Sequence, residues 1–143
     1  MDRLFLDANV LFSAAYGEGS RLALFWDIPG AELITSAYAV EEVRRNLERE
    51  EQRHRLAMLL QRTRIVPEAY ESVLPADVVL PSKDRPILSA AFAAGATYLI
   101  TGDRAHFGVW FGKTIGKIKV LPPAAYLDER HERQKARKRD APG

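Results

Sequence analysis

Cysteine is absent from all 143 residues of the sequence. Its absence excludes disulfide bonds, zinc sites with thiolate ligands and cysteine nucleophiles, and it is compatible with a reducing compartment. No apolar run approaches the roughly 20 residues of a membrane span. The N-terminus also lacks the basic start, apolar stretch and small-residue cleavage site of a signal peptide. We therefore expect a soluble, cytoplasmic protein.

Several ligand-binding motifs are also missing. The sequence contains neither G-x-x-x-x-G-K-[ST] nor G-x-G-x-x-G, so nothing supports nucleotide binding by a glycine-rich loop. An EF-hand loop beginning at Asp7 fails because Leu11 and Phe12 stand where an oxygen ligand and a glycine are needed. An aspartyl-phosphate phosphatase would need a second acid two residues after Asp7, where the chain has Asn9. The three histidines have unrelated spacings, which do not indicate a metal-binding set.

Charge is nearly balanced over most of the chain, with a formal net charge of +2. Residues 1–127 hold 15 basic and 15 acidic side chains, whereas residues 128–143 hold 6 basic and 4 acidic ones. The length fits one domain that buries a core without disulfides or a structural metal. We predict a single domain over residues 1–130, followed by a basic, disordered tail over residues 131–143.

Short apolar segments alternate with segments of helical periodicity along the chain. Strands are predicted at Leu4–Leu6, Glu32–Thr35, Arg64–Val66, Tyr98–Ile100 and Ile118–Leu121. Helices are predicted after Asn9, over Arg21–Asp27, from Ser36 to Leu60 with a break near Arg49–Arg53, over Glu68–Leu74, over Asp84–Ala94 and from Ala124. This alternation predicts an α/β fold, a three-layer α/β/α sandwich around a five-stranded, mainly parallel sheet.

Acidic residues recur where the predicted strands end. Asp7 follows the first strand directly, and Asp103 follows the fourth strand after two residues. Asp84 begins a helix, and Glu42 lies one turn into the helix after the second strand. Ligands of open α/β sheets bind outside the carboxyl ends of the strands. We therefore expect these four side chains to face one crevice.

Each of these acids also has a simpler explanation. Asp84 fits a helix N-cap, Asp7 and Asp103 fit ordinary loop acids, and Glu42 fits a solvated helix face. Their joint arrangement favours chemistry, because carboxylates at close range repel one another and raise each other's pKa unless cations keep them ionised. Oxygen ligands without histidine or cysteine suit Mg²⁺ or Mn²⁺, which water and a substrate phosphate usually complete.

Four ordered motifs carry a family resemblance: LFLDANVLFSA, TSAYAVEEVRRNL, KDRPILSAA and YLITGD. Together they resemble the PIN domain, the nuclease fold of VapC-type toxins and of many stand-alone prokaryotic proteins. The likeness covers roughly residues 3–127. It implies a quartet that is both catalytic and metal-binding, formed by Asp7, Glu42, Asp84 and Asp103. Glu41 is adjacent to Glu42, which is preferred because its distance from Ser36 fits the family pattern better.

The resemblance implies a Mg²⁺- or Mn²⁺-dependent endoribonuclease, and a toxin of a type II toxin–antitoxin pair is one form of such an enzyme. RNA and an antitoxin are then the expected partners, and a homodimer is the expected assembly. Asn9 and Thr101 match polar positions that orient the carboxylates. Candidate RNA contacts are Arg85, Arg104 and His106. Two alternatives stay open: a catalytically weak RNA-binding protein of the same fold, and an aspartate-based phosphatase.

Overall fold

The computed structural model describes residues 1–70 and 73–140, in which six strands form one sheet. The strands are β1 (Asp2–Leu6), β2 (Ala31–Ser36), β3 (Arg64–Val66), β4 (Tyr98–Ile100), β5 (Thr114–Ile115) and β6 (Ile118–Leu121). Their order across the sheet is β3-β2-β1-β4-β6-β5. All neighbouring strands are parallel except β5 and β6, which pair antiparallel.

Helices connect and flank the parallel strands. They are α1 (Ala8–Tyr16), α2 (Ala37–Asn46), α3 (Glu50–Leu60), α4 (Arg85–Ala93), α5 (Arg104–Phe107) and α6 (Pro123–Asp140). Three 3-10 segments complete the described elements at Arg21–Asp27, Ser82–Asp84 and Gly108–Trp110. Among the described residues, no helix is both long and apolar enough to cross a membrane. The mainly parallel sheet flanked by helices confirms the predicted α/β sandwich.

The first strand lies at the centre of the sheet, between β2 and β4. Its side chains Leu4, Phe5 and Leu6 are fully buried. A strand covered by helices on both faces carries a continuous apolar run rather than an alternating one, which is what this segment shows. Because β1 has a neighbour on each side, the residue that follows it stands at the middle of the carboxyl edge.

The sheet has six strands, not the predicted five. The additional strand, β5, has only two residues and forms an antiparallel edge with β6. Gly116 lies in the turn between them with a φ of 60°, a conformation that favours glycine. A two-residue strand shows no measurable periodicity, so hydrophobic patterning does not predict it.

Local capping decides where several helices begin. Ser20 and Ser36 accept hydrogen bonds from Leu22 N and Ala39 N, as N-cap residues do. The Arg21–Asp27 segment has the predicted extent but is a 3-10 helix. The long helix breaks between Asn46 and Glu50, slightly before the predicted position. The short helix predicted over Glu68–Leu74 includes residues 71 and 72, which lie outside the described residues.

The C-terminal segment differs from the predicted disordered tail, because α6 continues as a helix to Asp140. Side-chain contacts hold its middle against the start of β1. The buried Tyr126 donates a 2.6 Å hydrogen bond to Asp2 Oδ2, and Arg133 lies 2.7 Å from the same oxygen. Arg130 donates to the carbonyl oxygen of Pro29 at 3.0 Å. Residues 141–143 of the predicted tail lie outside the described part of the chain.

Candidate active site

A cavity of about 460 Å³ opens at the carboxyl edge of the sheet. Its lining includes all four predicted acids, Asp7, Glu42, Asp84 and Asp103. They come from the ends of β1 and β4, from α2 and from the start of α4. The other lining residues include Asn9, Phe12, Ser13, Tyr38, Asn46 and Lys83. The structure therefore brings together the side chains that the sequence placed at one end of the sheet.

Asp7 is the most buried of these acids and forms the N-cap of α1. Its Oδ1 atom accepts a 2.8 Å hydrogen bond from Ala8 N. Its Oδ2 atom accepts from Asn9 Nδ2 at 3.0 Å and from Thr101 Oγ1 at 2.8 Å. Burial raises the pKa of Asp7 to about 6, and the negative charges of Asp84 and Glu42 add to the rise although the hydrogen bonds oppose it.

Asn9 and Thr101 join the ends of the two central strands. The Thr101 hydroxyl donates to Asp7 and accepts from Asn9 Nδ2 and from Asp103 N, both at 3.1 Å. Asn9 Oδ1 accepts from Gly102 N at 2.9 Å. One polar network therefore fixes the carboxylate of Asp7 relative to the backbone that carries Asp103. Both residues lie where the sequence predicted polar support for the acids.

Asp84 occupies the N-cap position of α4, but its side chain makes no capping hydrogen bond. The side chain is only 10% exposed, and among the described residues its Oδ2 atom can accept a hydrogen bond only from His106 Nδ1, 3.0 Å away, when that nitrogen carries a proton. Burial raises the pKa of this carboxyl, and the nearby negative charge of Asp103 adds to the rise. His106 and Lys83 oppose it. A buried carboxylate that caps nothing is available for a ligand in the cavity.

His106 lies against two of the acids. Its Nδ1 atom is 2.8 Å from Asp103 Oδ2 and 3.0 Å from Asp84 Oδ2. Asp103 caps α5 by accepting a 3.1 Å hydrogen bond from the backbone N of His106, which holds the ring close to both carboxylates. The sequence proposed this residue as an RNA contact only. The sequence signal for its contact with Asp103 is the spacing of three residues, which brings a side chain near the acid that caps the same helix.

The structure separates the two adjacent glutamates on α2. Glu42 lines the cavity, whereas Glu41 pairs with Arg44 at 3.2 Å on an exposed face. Successive helical residues point about 100° apart, so only one of two neighbours can face the cavity. The choice of Glu42 therefore agrees with the geometry, and its catalytic role stays a prediction.

Basic side chains lie near the acids. Lys83 lines the cavity, and sequence reasoning did not identify it although it directly precedes Asp84. Arg85 is half-buried and donates to the carbonyl oxygen of Val78 at 3.4 Å. Arg104 is exposed at the first position of α5. All three residues are adjacent in sequence to Asp84 or Asp103, and the contact of Arg85 and Arg104 with RNA stays a prediction.

The residues present fit a divalent cation. Ligand atoms from Asp84, Asp103 and His106 all lie within 4.8 Å of one another. Burial and mutual repulsion raise the pKa values of Asp7 and Asp84, a cost that a bound cation would remove. The buried Oδ2 atom of Asp84 supplies an oxygen ligand. The donor set suits hard or borderline divalent ions.

Comparison with known proteins places the chain in a family. Its fold is similar to VapBC2 from Rickettsia felis, a structure solved bound to a DNA fragment from its promoter. The TM-score is 0.60, and the match has 17% sequence identity and covers 84% of this chain and 98% of that chain. VapC20 from Mycobacterium tuberculosis, a toxin that cleaves the sarcin–ricin loop, gives a TM-score of 0.48 and 16% identity over 70% of this chain and 91% of that one. No curated protein matches at a significant level. The family model described as a PIN domain matches residues 3–105, more than half of the sequence, so this chain belongs to the PIN domain family.

Proposed function

We propose that the chain is a divalent-metal-dependent endoribonuclease that cleaves RNA phosphodiester bonds. The observation that carries this proposal is the convergence of four acids, distant in sequence, on one cavity. Membership of the PIN domain family supports it. A cleft that gathers carboxylates beside basic side chains suits a reaction in which cations hold an anionic substrate against negative groups.

Asp7, Asp84 and Asp103 would hold one or two Mg²⁺ or Mn²⁺ ions, and Glu42 would complete the set. When bound, a divalent ion stabilises the charge that develops on the phosphate and lowers the pKa of a water molecule. The protein's own contribution begins with the hydrogen bonds from Asn9 and Thr101, which fix the rotamer of Asp7. Residues that orient a ligating carboxylate in this way sharpen the affinity of the site.

Other side chains would act on the substrate directly. Glu42 lies exposed on the cavity wall, and where it does not bind the ion it would orient the attacking water. Lys83 on the same wall would bind a phosphate oxygen and offset the charge of the acids. Arg85 and Arg104 directly follow two of the acids, so phosphates flanking the scissile bond would lie within their reach.

We further propose that this nuclease is the toxin of a toxin–antitoxin pair and acts in the cytoplasm. The support is the fold shared with VapBC2, a complex solved on its promoter DNA. By the same likeness, an antitoxin protein is the expected partner and a homodimer is the expected assembly. Co-expression with the product of a neighbouring small reading frame should yield a stable complex in which RNA cleavage is suppressed.

RNA cleavage by matched glutamate variants tests the enzymatic proposal. Purified protein is incubated with single-stranded RNA across Mg²⁺ and Mn²⁺ titrations, with chelator as the blank. Asp103→Asn and Glu42→Gln should lower the rate on the order of 100-fold or more. Glu41→Gln removes the neighbouring charge outside the cavity and should keep the wild-type rate.

Three outcomes would contradict the proposal. Cleavage that persists in chelator excludes metal dependence. Tight RNA binding without cleavage at any metal concentration favours a non-catalytic RNA-binding protein. Turnover of a small phosphate ester without RNA cleavage favours a phosphatase.

A further inference from the structure

We propose that His106 is a metal ligand, and that its Nδ1 atom binds a transition-metal ion such as Mn²⁺ together with Asp84 and Asp103. This inference rests on the proposed binding of a divalent ion in the cleft. It goes further by assigning a nitrogen ligand to a site that the sequence predicted to contain oxygen ligands alone.

The spacing of the three side chains supports a shared ion. His106 Nδ1 lies 2.8 Å from Asp103 Oδ2 and 3.0 Å from Asp84 Oδ2. Two ligand atoms at right angles about an octahedral ion, each about 2.1 Å from it, are about 3.0 Å apart. The observed separations therefore match those of neighbouring ligands in one coordination sphere.

The position of the ring proton decides what these distances mean: a proton on Nδ1 would form a hydrogen bond to a carboxylate, whereas a proton on Nε2 leaves Nδ1 free to bind a cation. With the proton on Nε2, His106 Nδ1 and Asp84 Oδ2 are both buried atoms without a hydrogen-bond partner among the described residues. Native proteins satisfy the great majority of their buried polar atoms, and leaving one unsatisfied is costly. A cation between the ring and the two carboxylates would satisfy both atoms at once.

The chain holds the ring in this position from two sides. The backbone N of His106 donates to Asp103 Oδ1 at 3.1 Å, so the histidine and one carboxylate are oriented together. The next residue, Phe107, is fully buried and anchors α5 in the core. A ligating Nδ1 atom must carry no proton, so the neutral ring would keep its proton on Nε2. Little reorganisation is then needed when an ion binds.

A nitrogen ligand changes which ion the site prefers. Imidazole binds first-row transition metals well, whereas Mg²⁺ strongly prefers oxygen. Substituting His106 by asparagine places an amide near the position of Nδ1 and removes the imidazole. We expect Mn²⁺ affinity to fall about tenfold or more in His106→Asn, with a smaller change for Mg²⁺.

Pulsed electron paramagnetic resonance of bound Mn²⁺ tests the assignment without reference to activity. A directly coordinated imidazole nitrogen modulates the electron spin echo of the ion. We expect this ¹⁴N modulation in the wild-type protein and its loss in His106→Asn. The matched control is His54→Asn on α3, where the exposed histidine lies outside the cavity lining and the modulation should persist.

The outcomes separate this inference from the proposed function. Bound Mn²⁺ with ¹⁴N modulation that disappears only in His106→Asn supports the inference. Mn²⁺ bound by the wild-type protein without ¹⁴N modulation overturns the inference and leaves the proposed nuclease standing. A wild-type protein that binds no Mn²⁺ at millimolar concentration contradicts both.

Discussion

Replacing the buried acid Asp7 by asparagine should stabilise the metal-free protein while abolishing its proposed function. The carboxylate lies beside Asp84 and Glu42, and burial raises its pKa from 3.8 to about 6. At pH 7 the group is ionised in both the folded and the unfolded chain, so the shift costs the folded state about 3 kcal/mol. Asparagine is similar in shape and carries no charge.

The substitution also removes part of the hydrogen bonding. An asparagine oxygen can still accept from Ala8 N, but its amide would face two donors, Asn9 Nδ2 and Thr101 Oγ1. Losing those two hydrogen bonds costs about 2 kcal/mol. We therefore expect a net stabilisation of about 1 kcal/mol, or about 2–4 °C in Tm.

The advantage of Asp7→Asn should depend on pH. Between pH 3.8 and about 6, the folded protein binds more protons at Asp7 than the unfolded chain. The stability that the folded wild-type protein gains from binding this proton is fully present below pH 3.8 and is lost as the pH rises through about 6. The variant should therefore gain most above pH 6, and its gain should shrink toward pH 4.

Thermal unfolding in chelator, followed by circular dichroism, measures this difference. Asp128→Asn on α6 is the matched control, because its side chain is exposed and its Tm should stay unchanged. Adding Mn²⁺ at about 100 times its Kd should stabilise the wild-type protein by about 2.7 kcal/mol and the Asp7→Asn variant by less. A variant that is less stable than the wild type at pH 7 in chelator would refute the electrostatic reasoning.

Three further substitutions test other parts of the account. Asn9→Ala should weaken Mn²⁺ affinity about 10–100-fold in calorimetry, because it frees the Asp7 carboxylate. Asp2→Asn should cost about 1 kcal/mol at pH 7 in denaturant unfolding. Burial raises the pKa of Asp2, but hydrogen bonds from Arg133 and Tyr126 outweigh burial and bring the pKa below its usual value. The cost of the substitution should therefore vanish as the pH falls through that lowered pKa. Gly116→Ala should cost about 1–3 kcal/mol in the same assay, since its φ is 60° and a Cβ would lie 2.8 Å from the Phe92 ring.

Much of the sheet could be predicted because its central strands are short apolar runs between turn residues. The predicted strands at Arg64–Val66, Tyr98–Ile100 and Ile118–Leu121 match the observed bounds. The edge strand β5 could not be predicted, since two residues carry no periodic signal. The helical extent of α6 was missed because its polar sequence predicts solvation, whereas Arg133 ties it to the first strand.

The site was predictable to the extent that parallel topology determines it. Residues that follow neighbouring parallel strands share one edge, which is why Asp7 and Asp103 could be placed together before the structure was known. The position of His106 was not predictable, because its second carboxylate neighbour, Asp84, belongs to a different segment of the chain. Lys83 was missed because a single lysine beside an acid is an ordinary surface pattern.

Crystals grown with Mn²⁺ would test the central claim most directly, by anomalous diffraction. We predict an anomalous peak in the cavity, within about 2.0–2.6 Å of oxygen atoms from Asp84 and Asp103 and close to Asp7. The same crystals of Asp103→Asn should show a weaker peak or none. A fully occupied peak elsewhere on the protein, with the cavity free of anomalous density, would contradict the account.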